Sequence, residues 1–151
     1  MNEISRVTGD DLADLLPLLR AYCDFYAIAP ADSALLALCE ALIADPQHEG
    51  VQLIARDDSR AAVGFATVYW CWGTLSPARI GIMNDLYVAP AARGTGLAED
   101  LIEACLEESR RHGAAFLTWQ TAKDNVRAQR VYDRVGATRE EWIDYSLPVS
   151  S

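Results

Sequence analysis

The sequence predicts an α/β protein in which helices flank a mixed central sheet. Two helical patterns stand near the start, segments rich in valine and aromatic residues fill the middle, and strand and helix patterns alternate towards the end. This order is typical of a layered α/β architecture. At 151 residues, 51% of them hydrophobic, the chain is long enough to bury the core of a single domain covering residues 1–151.

A short strand and a helix are predicted first. "ISRV" has the composition of the strand, and Asp10 or Asp11 is expected to cap the helix that follows. The apolar positions of this helix recur at helical spacing: Leu12, Leu15, Leu16 and Leu19. Pro17 falls inside the pattern and is expected to kink the helix or shift its start.

The next segments are a second helix and a meander of strands. "PADSALLALCEALIAD" predicts the helix, with Pro30 near its start and Pro46 just beyond its end. Three strand candidates follow: "VQLIAR", "AAVGFATVYWCW" and "ARIGIMNDLYV". The first two are predicted to turn at "DDSR", and Pro90 is predicted to end the third.

Strand and helix alternate in the last third of the chain. One face of the helix after "GTG" is apolar and comprises Leu97, Ala98, Leu101, Ile102, Cys105 and Leu106. "AFLTWQT" is then predicted as a buried strand, reached by a right-handed parallel crossover. "NVRAQRVYDRVGA" predicts a helix that ends at Gly136, and "EEWIDYSL" predicts a final strand.

Charge and composition argue against several functional classes. The net charge of −9 and the isoelectric point near 4.6 disfavour nucleic acid binding, because phosphate contacts need a basic surface. The same acidity favours a cationic small substrate, although acidity that only keeps the protein dissolved explains it equally well. The sequence shows neither the start of a signal peptide nor an apolar run of roughly 20 residues, so a cytoplasmic location is expected.

Metal binding and disulfide bonding are not expected. The four cysteines lack C-x-x-C spacing and are predicted to be reduced core residues: Cys23, Cys39, Cys71 and Cys105. His48 and His112 are the only histidines, too few for an ordinary zinc site. His112 precedes Gly113, where the preceding helix is expected to end, and suits a position at the negative end of the helix dipole.

The stretch "PAARGTGLAED" is the main chemical motif. It lacks the Lys-Ser or Lys-Thr pair of a P-loop, and Glu99 occupies the place of the third glycine of a dinucleotide fingerprint. What remains is Arg93-x-x-Gly96-x-Ala98 between a strand and a helix. Small residues, unpaired first-turn amides and an arginine suit a pyrophosphate. An ordinary glycine turn with a surface arginine fits these residues equally well.

The context of this loop resembles the GCN5-related N-acetyltransferases, the GNAT family. "MNDLYVAP" precedes the Arg-x-x-Gly-x-Ala loop, and Asn125, Ala128, Tyr132 and Gly136-Ala137 match the family's later helix. The resemblance implies the GNAT fold, with a splayed pair of parallel strands, and acetyl-CoA as co-substrate. The implied cofactor-binding residues are Leu86, Tyr87, Val88, Arg93, Gly94, Thr95, Gly96, Leu97, Ala98 and Asn125.

Several stretches resemble the diamine and polyamine acetyltransferases, a branch that also includes enzymes acting on lysine analogues. They are "VGFATVYWCW", "NDLYVAPAARGTG", "NVRAQRVYDRVGA" and "EEW". The resemblance implies transfer of acetyl to a primary amine by direct attack in a ternary complex. That branch usually carries a glutamate where this chain has Asn84, so Asp85 or an ordered water would take its place, or the substrate differs.

The resemblance also suggests roles for individual side chains. Tyr132 is the candidate proton donor to the leaving thiolate and Asp85 the candidate for amine recognition or a water-relayed base; a core tyrosine and a structural carboxylate are the other readings of the two residues. Candidate substrate-binding residues are Tyr22, Asp24, Tyr26, Trp70, Asn84 and Asp85, with Trp72 as a further wall candidate. Other possibilities are an acetyltransferase of peptides or proteins and a catalytically degenerate CoA sensor. A homodimer is a possible assembly.

Overall fold

The computed structural model describes residues 2–150. The chain divides into two compact units, Met1–Gln120 and Thr121–Ser151. The strands are β1 (Glu3–Arg6), β2 (Gly50–Arg56), β3 (Ala62–Gly73), β4 (Ala78–Val88) and β5 (Leu117–Thr118). The helices are α1 (Leu12–Phe25), α2 (Asp32–Ala44), α3 (Leu97–His112) and α4 (Val126–Arg134). Only α4 lies in the second unit.

The first unit is built around one mixed sheet with the strand order β1-β2-β3-β4-β5. The first four strands form an antiparallel meander, whereas β4 and β5 are parallel. The parallel pairing consists of Gly81 with Leu117 and Ile82 with Thr118. Because β4 continues to Val88, its later residues extend beyond the end of β5. The predicted α/β class with a splayed parallel pair is confirmed.

Helices cover both faces of the sheet. The buried cluster on the α1 and α2 face comprises Val7, Leu15, Leu18, Leu19, Cys39, Ile54 and Phe65. On α3 the buried apolar residues are Leu97, Leu101, Ile102 and Cys105, as the helical face predicts. A Cβ added at Gly64 of β3 would lie 3.2 Å from the Leu101 side chain. Since Gly64 and Phe65 alternate along β3, α3 packs against the face opposite the α1 and α2 cluster.

The start of α1 differs from the simple cap expected at Asp10 or Asp11. A 3₁₀ turn, Gly9–Asp11, precedes the helix, and the Asp11 carboxylate accepts from the Thr8 amide at 2.9 Å. Arg56 also donates to Asp11, at 2.8 Å. The helix continues through Pro17, so the proline does not shift its start. Proline lacks an amide and removes a single helical hydrogen bond.

Two strand predictions are wrong, one in its extent and the other altogether. The predicted buried strand "AFLTWQT" shrinks to the two residues of β5, and Phe116 is exposed. In the second unit, residues 137–150 contain no strand. Large apolar side chains there are exposed: Trp142, Ile143, Tyr145, Leu147 and Val149. An alternating pattern indicates strand propensity, but a strand also needs a neighbour for its amides and carbonyls, which the pattern does not supply.

The four cysteines are free thiols, and the prediction that they are core residues holds for two of them. Cys39 and Cys105 are buried, whereas Cys23 and Cys71 are half-buried because they lie at the edges of the core. Gly113 ends α3 at a φ of 77°, and His112 stacks on Trp70 with ring centroids 4.0 Å apart. Within residues 2–150, no helix is long and apolar enough to cross a membrane.

Candidate active site

A row of three buried polar residues crosses the centre of the sheet. Gln52 of β2 pairs with Thr67 of β3, and Thr67 pairs with Asp85 of β4. Thr67 is fully buried and Asp85 is 9% exposed. The Gln52 amide nitrogen donates to the Thr67 hydroxyl at 3.2 Å. Directly paired residues point to the same face, so three strands contribute to one polar site.

A β-bulge at Asn84 shapes the edge of this site. The register of β3 and β4 passes from Thr67–Asp85 to Val68–Met83, which leaves Asn84 without a partner on β3. A bulge of this kind bends the strand and redirects its side chains. The Tyr22 hydroxyl donates to the Asn84 carbonyl at 3.3 Å, and Asn84 Nδ2 donates to Asp85 Oδ1 at 3.0 Å. The bulge therefore joins α1 to the Asp85 carboxylate.

Burial is the largest influence on the ionisation of Asp85. Desolvation raises its pKa above the ordinary value, and the nearby polar groups of Thr67, Tyr22 and Asn84 oppose that rise. Among residues 2–150, no Lys, Arg or His forms an ion pair with Asp85. A buried carboxylate is costly without a positive partner, so this site is suited to a cation.

The phenols near Asp85 remain protonated at neutral pH. Burial, reinforced by the negative charge of Asp85, raises the pKa of Tyr69 to about 12. The same two causes, in the same order, raise the pKa of Tyr22 further. Both hydroxyls therefore act as neutral hydrogen-bonding groups, which leaves Asp85 as the acidic group of the site.

Aromatic rings lead outward from this cluster along α1. Tyr22 makes edge contacts with Phe65 in the core, at 5.8 Å between centroids, and with Tyr26, at 5.2 Å. Tyr26 and Phe25 are partly exposed, and Asp24 is exposed beside them. Of the predicted substrate residues, Tyr22, Tyr26, Asn84 and Asp85 are thus brought together.

Trp70 does not join them, which corrects the prediction that it lines the same pocket. Its indole nitrogen donates to the Pro46 carbonyl at 2.9 Å, and its ring stacks on His112 of α3. Strand alternation places Trp70 on the face opposite Thr67 and Tyr69. Trp72 is largely exposed and carries the Arg79 guanidinium 5.1 Å from its ring centroid.

The glycine loop has open space beside its two glycines. Gly94 and Gly96 have φ angles of 77° and 87°, and a Cβ built on either would meet no atom within 4 Å. Gly96 stands at the N-cap of α3 without a side-chain cap, so the first amides of the helix lack helical partners. Leu97 is buried and anchors the first turn. A pyrophosphate fits this site because the loop leaves open space and the first-turn amides of α3 lack helical partners. The positive end of the helix dipole also favours an anion there.

Two hydrogen bonds fix this loop to the preceding chain. The Thr95 hydroxyl donates to the Ala92 carbonyl at 2.7 Å, and Arg93 Nε donates to the Val88 carbonyl at 3.0 Å. Arg93 is exposed and forms no ion pair with any of residues 2–150. The remaining guanidinium donors are therefore available to an anion.

The end of β4 presents main-chain groups away from β3. The Ala89 amide donates to the Val63 carbonyl at 2.8 Å. Antiparallel pairing alternates, so Leu86 and Val88 direct their amides and carbonyls to the other side, past the end of β5. The Val88 carbonyl already accepts a hydrogen bond from Arg93 Nε.

Two predicted site residues lie in the second unit. Asn125 is the N-cap of α4, and its side-chain oxygen accepts from the Ala128 amide at 3.2 Å. Tyr132 is half-buried, and its carbonyl accepts from the Ala137 amide at 3.0 Å. Gly136 follows the helix with a φ of 81°. The motif thus forms the predicted helix with its glycine stop, and Asn125 caps that helix.

Sequence reasoning missed Gln52, Thr67 and Tyr69. Each lies on a strand that was identified, and each shares a face with Asp85 once the register is known. The signal that could have found Gln52 is its amide inside the apolar segment "VQLIAR".

No group of three or more metal-ligating side chains occurs among residues 2–150.

The site thus consists of a buried carboxylate on a bulged strand, followed by an open glycine loop and a helix. Residues 15–137 match the Acetyltransferase (GNAT) family. The chain belongs to this family and is an acyltransferase, as the loop and helix motifs predict.

Two curated relatives cover nearly the whole chain. An uncharacterized N-acetyltransferase of Bacillus subtilis, YhfO, is 32% identical over 147 residues, which is 97% of each chain. Thialysine N-epsilon-acetyltransferase of Caenorhabditis elegans is 26% identical over 149 residues, 96% of this chain and 91% of that protein. The second relative agrees with the predicted branch.

Solved structures share the fold. A probable acetyltransferase is 28% identical, covers 99% of both chains and superimposes with a TM-score of 0.85. The structure of AAC(6')-Iy in complex with a bisubstrate analogue of CoA and acetylneamine has the same TM-score at 22% identity, over 98% of both chains. At that identity the likeness shows the fold.

Proposed function

We propose that residues 1–151 act as one acetyl-CoA-dependent N-acetyltransferase domain whose acceptor is a primary amine on a small cationic molecule. The observation that carries this proposal is Asp85, a buried carboxylate with no cationic partner among residues 2–150. An alkylammonium group supplies the missing positive charge. The thialysine enzyme among the relatives acts on an amine of this kind by its name.

The glycine loop is the proposed site for the co-substrate. Gly94 and Gly96 leave room for a pyrophosphate, and Arg93 adds a charge-assisted hydrogen bond. The amide of Val88 and the main chain of Leu86 are suited to pair with an extended arm, as in strand addition. Asn125 is proposed to contact the same arm, by resemblance to the family.

In the proposed reaction, Asp85 receives the proton that the ammonium loses, directly or through a water molecule. The ammonium pKa is about 10, so a nearby base is needed at neutral pH. The amine nitrogen then attacks the thioester carbonyl carbon, the carbon–sulfur bond breaks, and the nitrogen loses its second proton to solvent, from which the proton donor is restored. Tyr132 is proposed to donate a proton to the departing thiolate, whose pKa is about 8.5. No acyl-enzyme forms.

Melting with and without saturating acetyl-CoA tests the co-substrate, with NADH and ATP as controls. A ligand at about a hundred times its dissociation constant adds about 2.7 kcal/mol to the free energy of unfolding. That corresponds to a rise of roughly ten degrees or less in a domain of this size. A melting temperature that millimolar acetyl-CoA leaves unchanged would contradict the proposal that acetyl-CoA is the co-substrate.

An acceptor panel tests the amine. CoA release is measured with thialysine, a diamine, a polyamine and an aminoglycoside, and in parallel with peptides carrying a free N-terminus or lysine. Turnover confined to peptides would indicate a protein acetyltransferase. Acetyl-CoA binding without turnover on any acceptor would indicate a sensor. Tyr132→Phe is expected to lose most turnover and keep acetyl-CoA binding, a pattern that a sensor would not show.

A further inference from the structure

Asp85 stands at the end of a row of cross-strand partners that begins two strands away. Gln52, Thr67 and Asp85 are direct cross-strand partners on β2, β3 and β4. The Gln52 amide donates to the Thr67 hydroxyl at 3.2 Å. An amide nitrogen has only donors, so the hydroxyl oxygen is the acceptor in this bond. The Thr67 proton is then free to point at the Asp85 carboxylate.

We propose that Thr67, oriented by Gln52, is a positioning residue that keeps the Asp85 carboxylate ionised and aimed at the Asn84 bulge. Its importance for acetyl transfer rests on the function proposed above, while its effect on Asp85 does not. The hydrogen bonding of Thr67 is the first of the influences that oppose the burial of Asp85. The bond from Gln52 polarises the Thr67 hydroxyl, which makes this hydroxyl a stronger donor towards Asp85.

The surroundings of Asp85 make this donor important. The groups that face it are Tyr22 and Cys23 from α1, Cys39 from α2 and Tyr69 from β3. Each of them becomes negative when it ionises, and Asp85 raises the pKa of each. No cation among residues 2–150 balances the carboxylate. Neutral donors are therefore its only support within this part of the chain, and Thr67 is the most deeply buried of them.

Gln52 is placed at a cost to stability. Its side-chain oxygen is buried and has no hydrogen-bond partner among residues 2–150. A buried polar atom without a partner is unfavourable, and an apolar side chain of similar size avoids that penalty. Gln52→Met is therefore expected to fold, which makes it a usable probe of the row.

The test measures the pKa of Asp85 by carbon NMR of labelled aspartate, with Asp85→Asn to identify the resonance. Thr67→Val keeps the side-chain shape but loses the hydroxyl, and is expected to raise this pKa by about one pH unit. Thr67→Ser keeps the hydroxyl and is expected to leave it unchanged. Thr74→Val removes an exposed hydroxyl from the β3–β4 turn and serves as the matched control.

Gln52→Met tests whether Gln52 acts on Asp85 through Thr67 or independently of it. It is expected to raise the pKa of Asp85 by less than Thr67→Val does, and to add nothing in the Thr67→Val background. An unchanged pKa in Thr67→Val, or an equal effect of Gln52→Met in both backgrounds, overturns the proposal. Should Thr67→Val not fold, an unchanged pKa in the single Gln52→Met variant overturns it as well.

The pH profile of kcat/KM separates this inference from the proposed function. If Asp85 must be ionised for acetyl transfer, the acid limb of the kcat/KM profile moves to higher pH in Thr67→Val. The size of this move equals the shift of the Asp85 pKa that NMR measures. A shifted Asp85 pKa together with an unchanged acid limb of kcat/KM supports the proposed role of Thr67. It would also show that Asp85 does not act in the proposed reaction. Absence of acetyl transfer by the wild-type protein would contradict the proposed function. The NMR titration would still test the effect of Thr67 and Gln52 on Asp85.

Discussion

Arg93 donates from Nε to the main-chain carbonyl of Val88 at 3.0 Å. The side chain that is proposed to bind the pyrophosphate therefore also ties the glycine loop to the end of β4. Its guanidinium group lies over the Tyr87 ring, with Cζ 6.0 Å from the centroid. One residue thus links the strand that carries Asp85 to the loop that begins α3.

Arg93→Ala is expected to weaken acetyl-CoA binding by about ten- to a hundred-fold. Hydrogen bonds to charged groups contribute about 1.5–3 kcal/mol, and tenfold in affinity is about 1.4 kcal/mol. Arg93→Lys keeps the charge but loses the planar fork, so an intermediate loss is expected. Calorimetric titration measures the three affinities. Arg110→Ala, on the exposed side of α3, is the control and should bind normally; equal losses in both variants would exclude a specific contact from Arg93.

Gly96→Ala is expected to lower both stability and acetyl-CoA affinity. A left-handed backbone costs alanine about 1–2 kcal/mol, and the new methyl group would project into the open space above the loop. Gly113→Ala is the matched control, because Gly113 has a φ of 77° and equally open surroundings at the other end of α3. Both variants should melt several degrees lower.

Only Gly96→Ala should also lose affinity for acetyl-CoA. The comparison therefore separates backbone strain from ligand contact. If the Gly113 variant loses as much affinity as the Gly96 variant, the loss reflects general destabilisation and the loop is an ordinary turn.

Asp85→Asn is expected to lower kcat/KM by about a hundredfold or more, in the range of general base catalysis. At pH 7 it should melt a few degrees higher than the wild type, since burying an uncompensated charge costs stability. Burial raises the folded-state pKa of Asp85 above its unfolded value. Stability linked to this group is therefore fully present below the unfolded pKa and is lost as the pH rises through the folded pKa.

The melting advantage of Asp85→Asn should consequently shrink as the pH is lowered and Asp85 in the wild type becomes protonated. Melting temperatures across acid and neutral pH measure this convergence. Asp24→Asn, at an exposed position on α1, should show no such pH-dependent gap. A constant difference between Asp85→Asn and the wild type at all pH values would contradict the effect of burial on this carboxylate.

The sequence predicts the site only as far as its motifs are local. The Arg93–Ala98 loop and the Asn125–Gly136 helix are continuous segments, and their residue types determine their conformation. The row from Gln52 to Asp85 depends on the register of three strands, including the bulge at Asn84, and register is a tertiary property. Trp70 was misplaced for the same reason, because a one-residue difference along β3 changes the face to which a side chain points.

The β5 and C-terminal strand predictions failed for a different reason. "AFLTWQT" and "EEWIDYSL" have the residue types of strands, but strand formation depends on a neighbour as well as on propensity. The parallel pairing of β5 stops after Thr118. What a local pattern establishes is the tendency of a segment to be extended, and the length of each strand follows from its pairing.

Thiol labelling of the native protein should modify Cys23 and Cys71 and spare Cys39 and Cys105. Both spared residues are fully buried. Burial, with a smaller contribution from the Glu108 carboxylate, raises the pKa of Cys105 to about 12. Burial likewise raises the pKa of Cys39. The reactive thiolate is scarce at both positions, and the reagent has no access to either sulfur.

Mass spectrometry after brief treatment with iodoacetamide at pH 8 counts the modified residues, and all four cysteines should react in guanidinium. Glu108→Gln should leave Cys105 protected, because burial is the larger cause of its raised pKa. Rapid native modification of Cys105 would show that α3 does not pack on the sheet as described, and the glycine loop at the start of that helix would lose its support.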